Sequence, residues 1–204
     1  MTMLFEAIAS WHASSFATRS SDEAWDVVAA LPGMVVRLLG TLDDGYGIEG
    51  GIAVHRTAEV EGGATLKGPL IVGPNCRVAA GSLLRGGCWL DGGCVVGPGT
   101  EVKSTIMFRG SRLAHFNFVG DSILGQDVNL EAGAIIANYR NELRDPHLRL
   151  TYRGELIEAP VLKFGALVGD GCRIGANAVV APGAILAAGT VVPRLGLIDQ
   201  RPPS

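Results

Sequence analysis

The sequence predicts an all-β fold, a parallel β-helix preceded by a short helical segment, and three observations lead to this prediction. Branched apolar residues recur every six positions over two stretches of the chain. A six-residue period fits neither the 3.6-residue turn of a helix nor an isolated amphipathic strand, and it is typical of hexapeptide-repeat β-helices. The 29 glycines and the low aromatic content of 6% indicate tight, repetitive turns rather than a large aromatic core. The repeating residues are Val54, Val60, Leu66, Val72, Val78, Leu84, Leu90, Val96 and Val102, followed by Val168, Ile174, Val180, Leu186 and Val192.

The first element, residues 1–48, does not carry the repeat and is predicted to be helical. Ser20 with Glu23 three residues later has the spacing of a capping box in front of an apolar helical pattern. One or two helices are therefore expected here. Pro32 and Gly33 are expected to break or bend the second of them.

The second element, residues 49–195, is the predicted β-helix. With three six-residue sides per turn, the stretch from 50 to 137 should form about five coils. Two five-residue steps, near Met107 and between Val119 and Leu124, interrupt the repeat. Residues 138–164 form an insertion, predicted to be a loop, and such insertions in solenoids often build the binding face. Residues 196–204 are a short polar tail.

The four cysteines are predicted to be packing residues. Each one lies two residues before a repeat position, in a slot that elsewhere holds Ala, Ser or Thr. Free cysteine behaves as a small buried hydrophobe. Cys76 and Cys94, 18 residues apart, should stack in adjacent coils, but a reducing compartment disfavours a disulfide between them.

Charge and composition exclude several function classes. A net charge of −3 and a pI near 5.8 give no basic footprint for nucleic acid. The N-terminus lacks a basic region, and no uncharged apolar run is long enough for a membrane span. We therefore expect a cytoplasmic protein without nucleic-acid or membrane partners.

Two cations, Arg85 and Lys103, each follow a repeat residue immediately and are 18 residues apart. They should stack on adjacent coils, where like charges are unfavourable unless an anion lies between them. A phosphate would suit the pair, with arginine as a bidentate fork and lysine as a point charge. On spacing alone, two solvated side chains that splay apart are an equally good interpretation.

His115, two positions after Leu113, should lie on a corner of the helix rather than inside it. The equivalent corner of the next coil is Ala132, among small residues. A base beside a free amide donor is an arrangement suited to acyl transfer, although a surface histidine commonly has no such role. No spacing brings three histidines together, so we expect no metal site.

The stretch EVKSTIMFRGSRLAHFNFVGDSILGQDVNLEAGAIIANYR, residues 101–140, resembles a known family. It is similar to the C-terminal left-handed β-helix of bifunctional sugar-1-phosphate nucleotidylyltransferase/acetyltransferases, including the glucosamine-1-phosphate N-acetyltransferase domain of UDP-N-acetylglucosamine pyrophosphorylases. The ordered set EVK, AHxxxxGD, NxxAG and ANY carries the resemblance, which continues through KFGALVGDGCRIGAN and covers about residues 50–193. It implies a left-handed coil, acetyl-CoA as co-substrate and a homotrimer with sites between subunits.

The resemblance also implies roles for individual residues. His115 matches the general base, the Ala132 amide matches the group that polarises the acetyl carbonyl, and Asn138 matches a residue near the acetyl group. The matched substrate-binding residues are Arg85, Lys103, Phe118, Asn129, Tyr139 and Lys163.

Three departures from the family pattern separate two functional hypotheses. Phe118 replaces a tyrosine, Glu131 replaces the glycine of NxGAG, and residues 1–45 contain no Gly-rich nucleotide loop. The first hypothesis is an enzyme, an acyltransferase that moves an acetyl group from acetyl-CoA to the amine of an amino-sugar 1-phosphate. The alternative is a catalytically reduced β-helix that binds a sugar phosphate or scaffolds a separate nucleotidylyltransferase.

Overall fold

The inward-pointing residues of the six-residue repeat form the central core of the structure, a computed structural model that describes residues 3–17 and 23–202. Val78, Leu90, Leu113 and Leu130 are all fully buried in this core. Around it the chain winds as a three-sided solenoid of parallel strands, seven of which follow one another on each face. The predicted hexapeptide-repeat β-helix is confirmed.

The strands of each face pair in parallel with the equivalent strands of neighbouring coils, apart from β1, which pairs antiparallel with β2. The first face contains β1 (Tyr46–Glu49), β2 (Ile52–His55), β5 (Leu70–Val72), β8 (Cys88–Leu90), β11 (Ile106–Met107), β14 (Ile123–Leu124), β19 (Ala166–Val168) and β22 (Ala184–Leu186). The second face contains β3 (Glu59–Val60), β6 (Arg77–Val78), β9 (Val95–Val96), β12 (Arg112–Leu113), β15 (Asn129–Leu130), β20 (Arg173–Ile174) and β23 (Val191–Val192). The third face contains β4 (Thr65–Leu66), β7 (Leu83–Arg85), β10 (Glu101–Lys103), β13 (Phe118–Gly120), β16 (Ile135–Ile136), β21 (Val179–Val180) and β24 (Leu197–Ile198).

The chain turns between faces at three corners, which position the candidate site. We call the turn from the second to the third face the second corner, and the turn from the third back to the first face the third corner. The strand registers are 18 residues apart where Lys103 pairs with Arg85, but 17 apart where Gly120 pairs with Lys103 and Ile123 pairs with Ile106. The shortened coils occur where the two five-residue steps of the sequence predict them.

Two helices and a 3-10 turn cover the first face. Helix α1 (Met3–Ala7), the 3-10 turn Trp11–Ala13 and helix α2 (Ala24–Leu39) bury a second apolar cluster against it, including Trp11, Leu31 and Phe164. Helix α2 begins after Glu23, which forms a capping box with Asp26, whereas Ser20 lies outside the described residues. The helices thus bury their apolar residues against the outside of the first face, and this packing does not require the six-residue repeat.

Pro32 does not break the second helix, contrary to one of the two expectations for it. Helix α2 continues through Pro32 to Leu39. Pro32 packs against Gly87, where even a Cβ atom would lie 2.9 Å from the proline Cα. Gly87 has a φ of +89°, a conformation that side chains rarely adopt. The absence of a side chain at Gly87 therefore allows helix α2 to approach the solenoid closely at Pro32.

The insertion contains a β-hairpin, β17 (Leu148–Tyr152) and β18 (Glu155–Ala159), where the sequence analysis expects a loop. Leu148 and Leu150 point into the apolar cluster between the first face and the helices, since alternate side chains of a strand lie on the same side. Arg140, near the start of the insertion, is only 2% exposed. The hairpin is therefore packed onto the solenoid.

The solenoid continues to Ile198, three residues beyond the expected end at 195, because β24 pairs with β21. After it, Gln200 binds the backbone of β22 with its side chain: Oε1 accepts from the Ile185 N–H at 2.8 Å, and Nε2 donates to the Ile185 carbonyl at 2.9 Å. Within the described ranges, no helix has the length and apolar character needed to cross a membrane.

All four cysteines are buried, as predicted for packing residues, and they carry free thiols. The Cys94 thiol donates to the Phe108 carbonyl, and the Cys172 thiol donates to the Ala187 carbonyl. Burial raises the pKa of the Cys88 thiol to about 11, which keeps it protonated and inert at neutral pH.

Candidate active site

His115 lies on the second corner with its side chain exposed to solvent. The next residue, Phe116, has a φ of +53°, which is unusual for a bulky residue, and is 72% exposed. Its ring lies over Gly99 of the preceding coil, where a Cβ atom would be 2.5 Å from the ring. The glycine thus makes room for an aromatic residue directly beside the candidate base.

The corner of the following coil lies against His115, as the spacing predicts. The Gly133 N–H donates to the His115 carbonyl at 2.9 Å, and the Asn177 N–H donates to the Ala132 carbonyl at 3.0 Å. His115, Ala132 and Ala176 are therefore successive members of one column of corner residues, which includes Ala80 and Pro98 on the preceding coils.

The corner amides of this column differ in their hydrogen bonds. The Ala80 N–H donates to Glu61 and the Ala176 N–H donates to Glu131, each at 2.9 Å. In both cases the glutamate lies on the preceding coil, one residue before the corner. The Ala132 N–H donates to no acceptor among residues 3–17 and 23–202, because Ala114 occupies the glutamate position of its preceding coil. An open amide donor thus lies next to His115.

Glu131, one of the departures from the family pattern, does not leave an unpaired negative charge at Ala132. Its carboxylate is directed along the corner column: the Ala176 N–H of the next coil donates to it, and Arg194, two coils on from Glu131, donates to both oxygens at 2.8 and 2.9 Å. The Arg194 and Ala176 hydrogen bonds lower the pKa of the Glu131 carboxyl. The residue therefore remains ionised with its charge compensated.

A groove of about 540 Å³ runs along the second face beneath this corner. Its walls are mostly apolar, with His115 and Asn129 at one end and Arg77 at the other. Asn129 is exposed on β15, in register between Arg112 of β12 and Arg173 of β20. A groove of mostly apolar walls with a few polar groups has the character of a small-molecule site.

At the opposite ends of the third-face strands, the two predicted cations stack as expected, since Lys103 of β10 is in register with Arg85 of β7. Each of them is already paired with an acid. Arg85 Nη2 lies 2.7 Å from Glu101, and Lys103 Nζ lies 2.7 Å from both oxygens of Asp121. The four side chains together carry no net charge.

Asn138, Tyr139 and Lys163 gather at the same third corner. The side-chain amide of Asn138 donates to the Asp121 carboxylate, and the Asn138 carbonyl accepts from the Phe164 N–H at 3.2 Å. The ammonium group of Lys163 lies 6.0 Å from the centre of the Tyr139 ring. Asn138 therefore adjoins the Lys103–Asp121 ion pair, and Tyr139 and Lys163 contact each other at the same corner.

The predicted site residues thus form two groups within one chain. His115, Asn129 and Ala132 lie at the second corner or on the second face. Arg85, Lys103, Asn138, Tyr139 and Lys163 lie at the third corner, beyond a strand of three residues that spans about 10 Å. Phe118, in register with Glu101, lies on the third face between the two groups.

Sequence reasoning missed the acids that complete both groups. Glu61 and Glu131 each follow a repeat residue directly, so aligning the corner columns would have revealed them as the residues that cap the next amide. Glu101 lies on the coil that follows Arg85, and Asp121 lies on the coil that follows Lys103. Whether each acid pairs with the cation depends on the directions of the side chains, which the spacing does not determine. No cluster of metal-binding side chains occurs within the described ranges.

Comparisons with known proteins identify similar sequences. No protein-family model matches the chain. The bifunctional sugar-1-phosphate nucleotidylyltransferase/acetyltransferase of Sulfurisphaera tokodaii is 31% identical over 145 residues, which cover 71% of the chain and 36% of the relative. The bifunctional protein GlmU of Alkalilimnicola ehrlichii is 34% identical over 166 residues, 78% of the chain and 33% of the relative. The chain spans about a third of the length of these curated relatives.

Among solved structures, a hexapeptide transferase family protein from Anaplasma phagocytophilum aligns with a TM-score of 0.38 and 22% identity, covering 74% of this chain and 75% of that one.

Proposed function

Because the chain is homologous to the C-terminal region of bifunctional sugar-1-phosphate nucleotidylyltransferase/acetyltransferases, we propose that it transfers an acetyl group from acetyl-CoA to the amine of an amino-sugar 1-phosphate. One observation carries the proposal: the Ala132 amide is open beside His115, whereas the equivalent Ala80 and Ala176 amides each hold a carboxylate oxygen at 2.9 Å. The same corner geometry can therefore hold a negatively charged oxygen at Ala132.

The reaction needs a base for the amine and a donor for the carbonyl oxygen. The nitrogen of the acceptor amine attacks the thioester carbonyl of acetyl-CoA, and His115 takes a proton from this amine. A C–N bond forms, and the negative charge that develops on the carbonyl oxygen is stabilised by the Ala132 N–H. When the oxyanion collapses, the C–S bond breaks, the CoA thiolate leaves and it receives the proton held by His115.

Arg85 and Lys103 would bind the phosphate group of the sugar, for which Glu101 and Asp121 compete. A phosphate that binds there must share or replace the contacts of Glu101 and Asp121. Arginine can donate two parallel hydrogen bonds to a phosphate, which favours the exchange. Asn129 and Phe118 would contact the sugar, while Asn138, Tyr139 and Lys163 would line the cleft near the acetyl group.

A homotrimer with sites between subunits accounts for the separation of the two groups. A neighbouring subunit can bring its third corner against the second corner, which one chain alone does not do. The third face offers a surface for this contact, because Phe118, Ile135, Val179 and Leu197 form a ladder of outward-facing apolar side chains in strand register. Leu197 is 67% exposed, and contiguous exposed apolar patches commonly mark interaction sites. A cytoplasmic location is part of the same proposal, since acetyl-CoA would be available there.

Calorimetric titration with acetyl-CoA, followed by glucosamine 1-phosphate, tests the proposal. Binding of both ligands, together with acetylated product and free CoA in a transfer assay, is the expected outcome. Binding of acetyl-CoA alone would keep acyl transfer but require another acceptor. If neither ligand bound the trimeric protein, the proposed function would be wrong.

A second candidate function is a β-helix that binds a sugar phosphate or scaffolds a separate nucleotidylyltransferase without catalysis. The neutral arrangement of Arg85, Glu101, Lys103 and Asp121 favours the scaffolding form of this candidate, because a phosphate clamp works best with unpaired cations. Phe118, which lacks a tyrosine hydroxyl, points the same way. Binding of glucosamine 1-phosphate without acetyl-CoA binding or turnover would support this candidate.

A further inference from the structure

The insertion between β16 and β19 builds a cavity that the proposed reaction does not use. The cavity has a volume of about 330 Å³ and lies where the insertion meets the end of the chain. Its lining includes Arg140, Arg144, Asp145, His147, Arg149 and Arg201. Four guanidinium groups and one carboxylate thus line a small concave space on a protein whose net charge is −3.

The back of the cavity is rigid because Arg140 is fixed from several sides. Its two terminal nitrogens donate to the two oxygens of Asp199 at 2.9 and 2.7 Å, and Nη2 also donates to the Pro182 carbonyl at 3.1 Å. Asp199 in turn accepts from the Arg201 N–H at 2.9 Å. The buried arginine therefore holds the backbone that carries Arg201 at the edge of the cavity.

The other cations differ in their partners. Arg149 contacts Asp145 at 3.5 Å and Glu158 at 3.3 Å, and His147 binds Asp145 through Nδ1. In the parts of the chain that the structure describes, Arg144 and Arg201 make no ion pair. By contrast, Arg85 and Lys103 each hold an acid. Arg144 and Arg201 thus both line the cavity without a salt bridge, and Arg201 also lies near enough to Asp199 to help lower the pKa of that carboxyl.

Unpaired guanidinium groups in a concave site favour a planar or tetrahedral oxyanion, which they bind with two parallel hydrogen bonds. A volume at the lower end of the range of small-ligand pockets suits a phosphate group with part of its ester rather than a large molecule. We propose that this cavity binds a phosphate monoester through Arg144 and Arg201, outside the site at His115. The ligand is either a free sugar phosphate or nucleotide, or the 3′-phosphate of a CoA molecule.

Equilibrium binding measurements on the complete chain test this proposal without depending on turnover. The probes are ribose 5-phosphate, CoA and dephospho-CoA, which lacks the 3′-phosphate. The test variant is R144Q/R201Q, and the matched control is R109Q, which removes an exposed arginine elsewhere on the solenoid. Both arginines of the test variant have exposed side chains, so thermal midpoints close to that of the wild type are expected and serve as the check of folding.

If the ligand is a free phosphate monoester, R144Q/R201Q should weaken ribose 5-phosphate binding at least about 10-fold, because charge-assisted hydrogen bonds are lost, and should leave CoA binding unchanged. If it is the 3′-phosphate of CoA, the variant should weaken CoA binding by a similar factor and leave dephospho-CoA binding unchanged. R109Q should bind every probe like the wild type. The proposal is overturned if R144Q/R201Q binds all three probes like the wild type, or if the wild type binds none of them. Loss of acetyl transfer in a variant of His115 would not alter these results.

Discussion

The two edges of the third face present a contrast between unsatisfied and satisfied polar groups. At the second corner, the His115 side chain is exposed and the Ala132 amide is open. At the third corner, Arg85 and Lys103 each hold a carboxylate. The contrast teaches that charged side chains stacked on neighbouring coils can neutralise one another. The open backbone donor lies instead where a small residue, Ala114, replaces a capping glutamate.

The largest expected effect comes from removing the base at the second corner. H115A should lower kcat for acetyl transfer by about 10²- to 10⁴-fold, the usual contribution of a general base. Steady-state assays with acetyl-CoA and glucosamine 1-phosphate measure it. H55A, which changes a histidine on the first face, is the control and should retain activity. Unchanged turnover in H115A would remove this histidine from the mechanism.

The next effect comes from closing the open corner. A114E places a carboxylate where Glu61 and Glu131 cap the following amides, so it should occupy the Ala132 N–H. Loss of an oxyanion donor costs about 10²- to 10³-fold in kcat, and the added carboxylate should reduce turnover by at least that factor. A114S, which is too short to reach the next coil, should stay active. An active A114E enzyme would show that the Ala132 amide does not hold the oxyanion.

A smaller effect is expected from removing an acid at the third corner, which would leave a cation there without its partner. E101Q removes the charge that competes for Arg85, so the KM for the sugar phosphate should fall by about 3- to 10-fold with kcat little changed, since a charge-assisted contact is freed. E59Q, a change on the second face, should leave KM unaltered. A rise in KM for E101Q would mean that Glu101 itself contacts the acceptor.

The smallest effect is on the pH dependence of stability. Arg194 and the Ala176 N–H hold the pKa of Glu131 below its unfolded value, so the contribution of this carboxylate is present above the unfolded pKa of about 4.3. It is lost as the pH falls through the lower folded pKa. The difference in melting temperature between the wild type and E131Q should therefore be largest near neutral pH and narrow in acid. A gap that stays constant from about pH 7 to pH 3 would contradict this role of the Glu131 charge.

The six-residue repeat made most of the fold predictable, because inward positions of a solenoid recur at fixed spacing. It predicted the five coils before the insertion, the two shortened steps and the stacking of Lys103 on Arg85. It also put His115 and Ala132 in one corner column. These features depend only on distance along the chain, which the sequence states directly.

Other features depend on contacts between distant segments, and the repeat does not report on those. Helix α2 continues through Pro32 and packs there against Gly87, 55 positions further along the chain. Leu148 and Leu150 alternate as in a strand, but the six-residue repeat does not indicate that β18 pairs with β17. The Glu131 side chain is directed towards Arg194. The presence of a glutamate at this corner does not by itself indicate that direction.

Gln200 has a consequence for how the protein remains a discrete particle. Every coil of a stacked solenoid is a template for another one, so the last strand of each face could recruit a strand from a second molecule and start a fibre. The side-chain amide of Gln200 donates to and accepts from the Ile185 backbone as the next rung would. On the first face, the Gln200 side chain thus occupies backbone hydrogen bonds that a further strand would form, and it closes this strand edge to pairing.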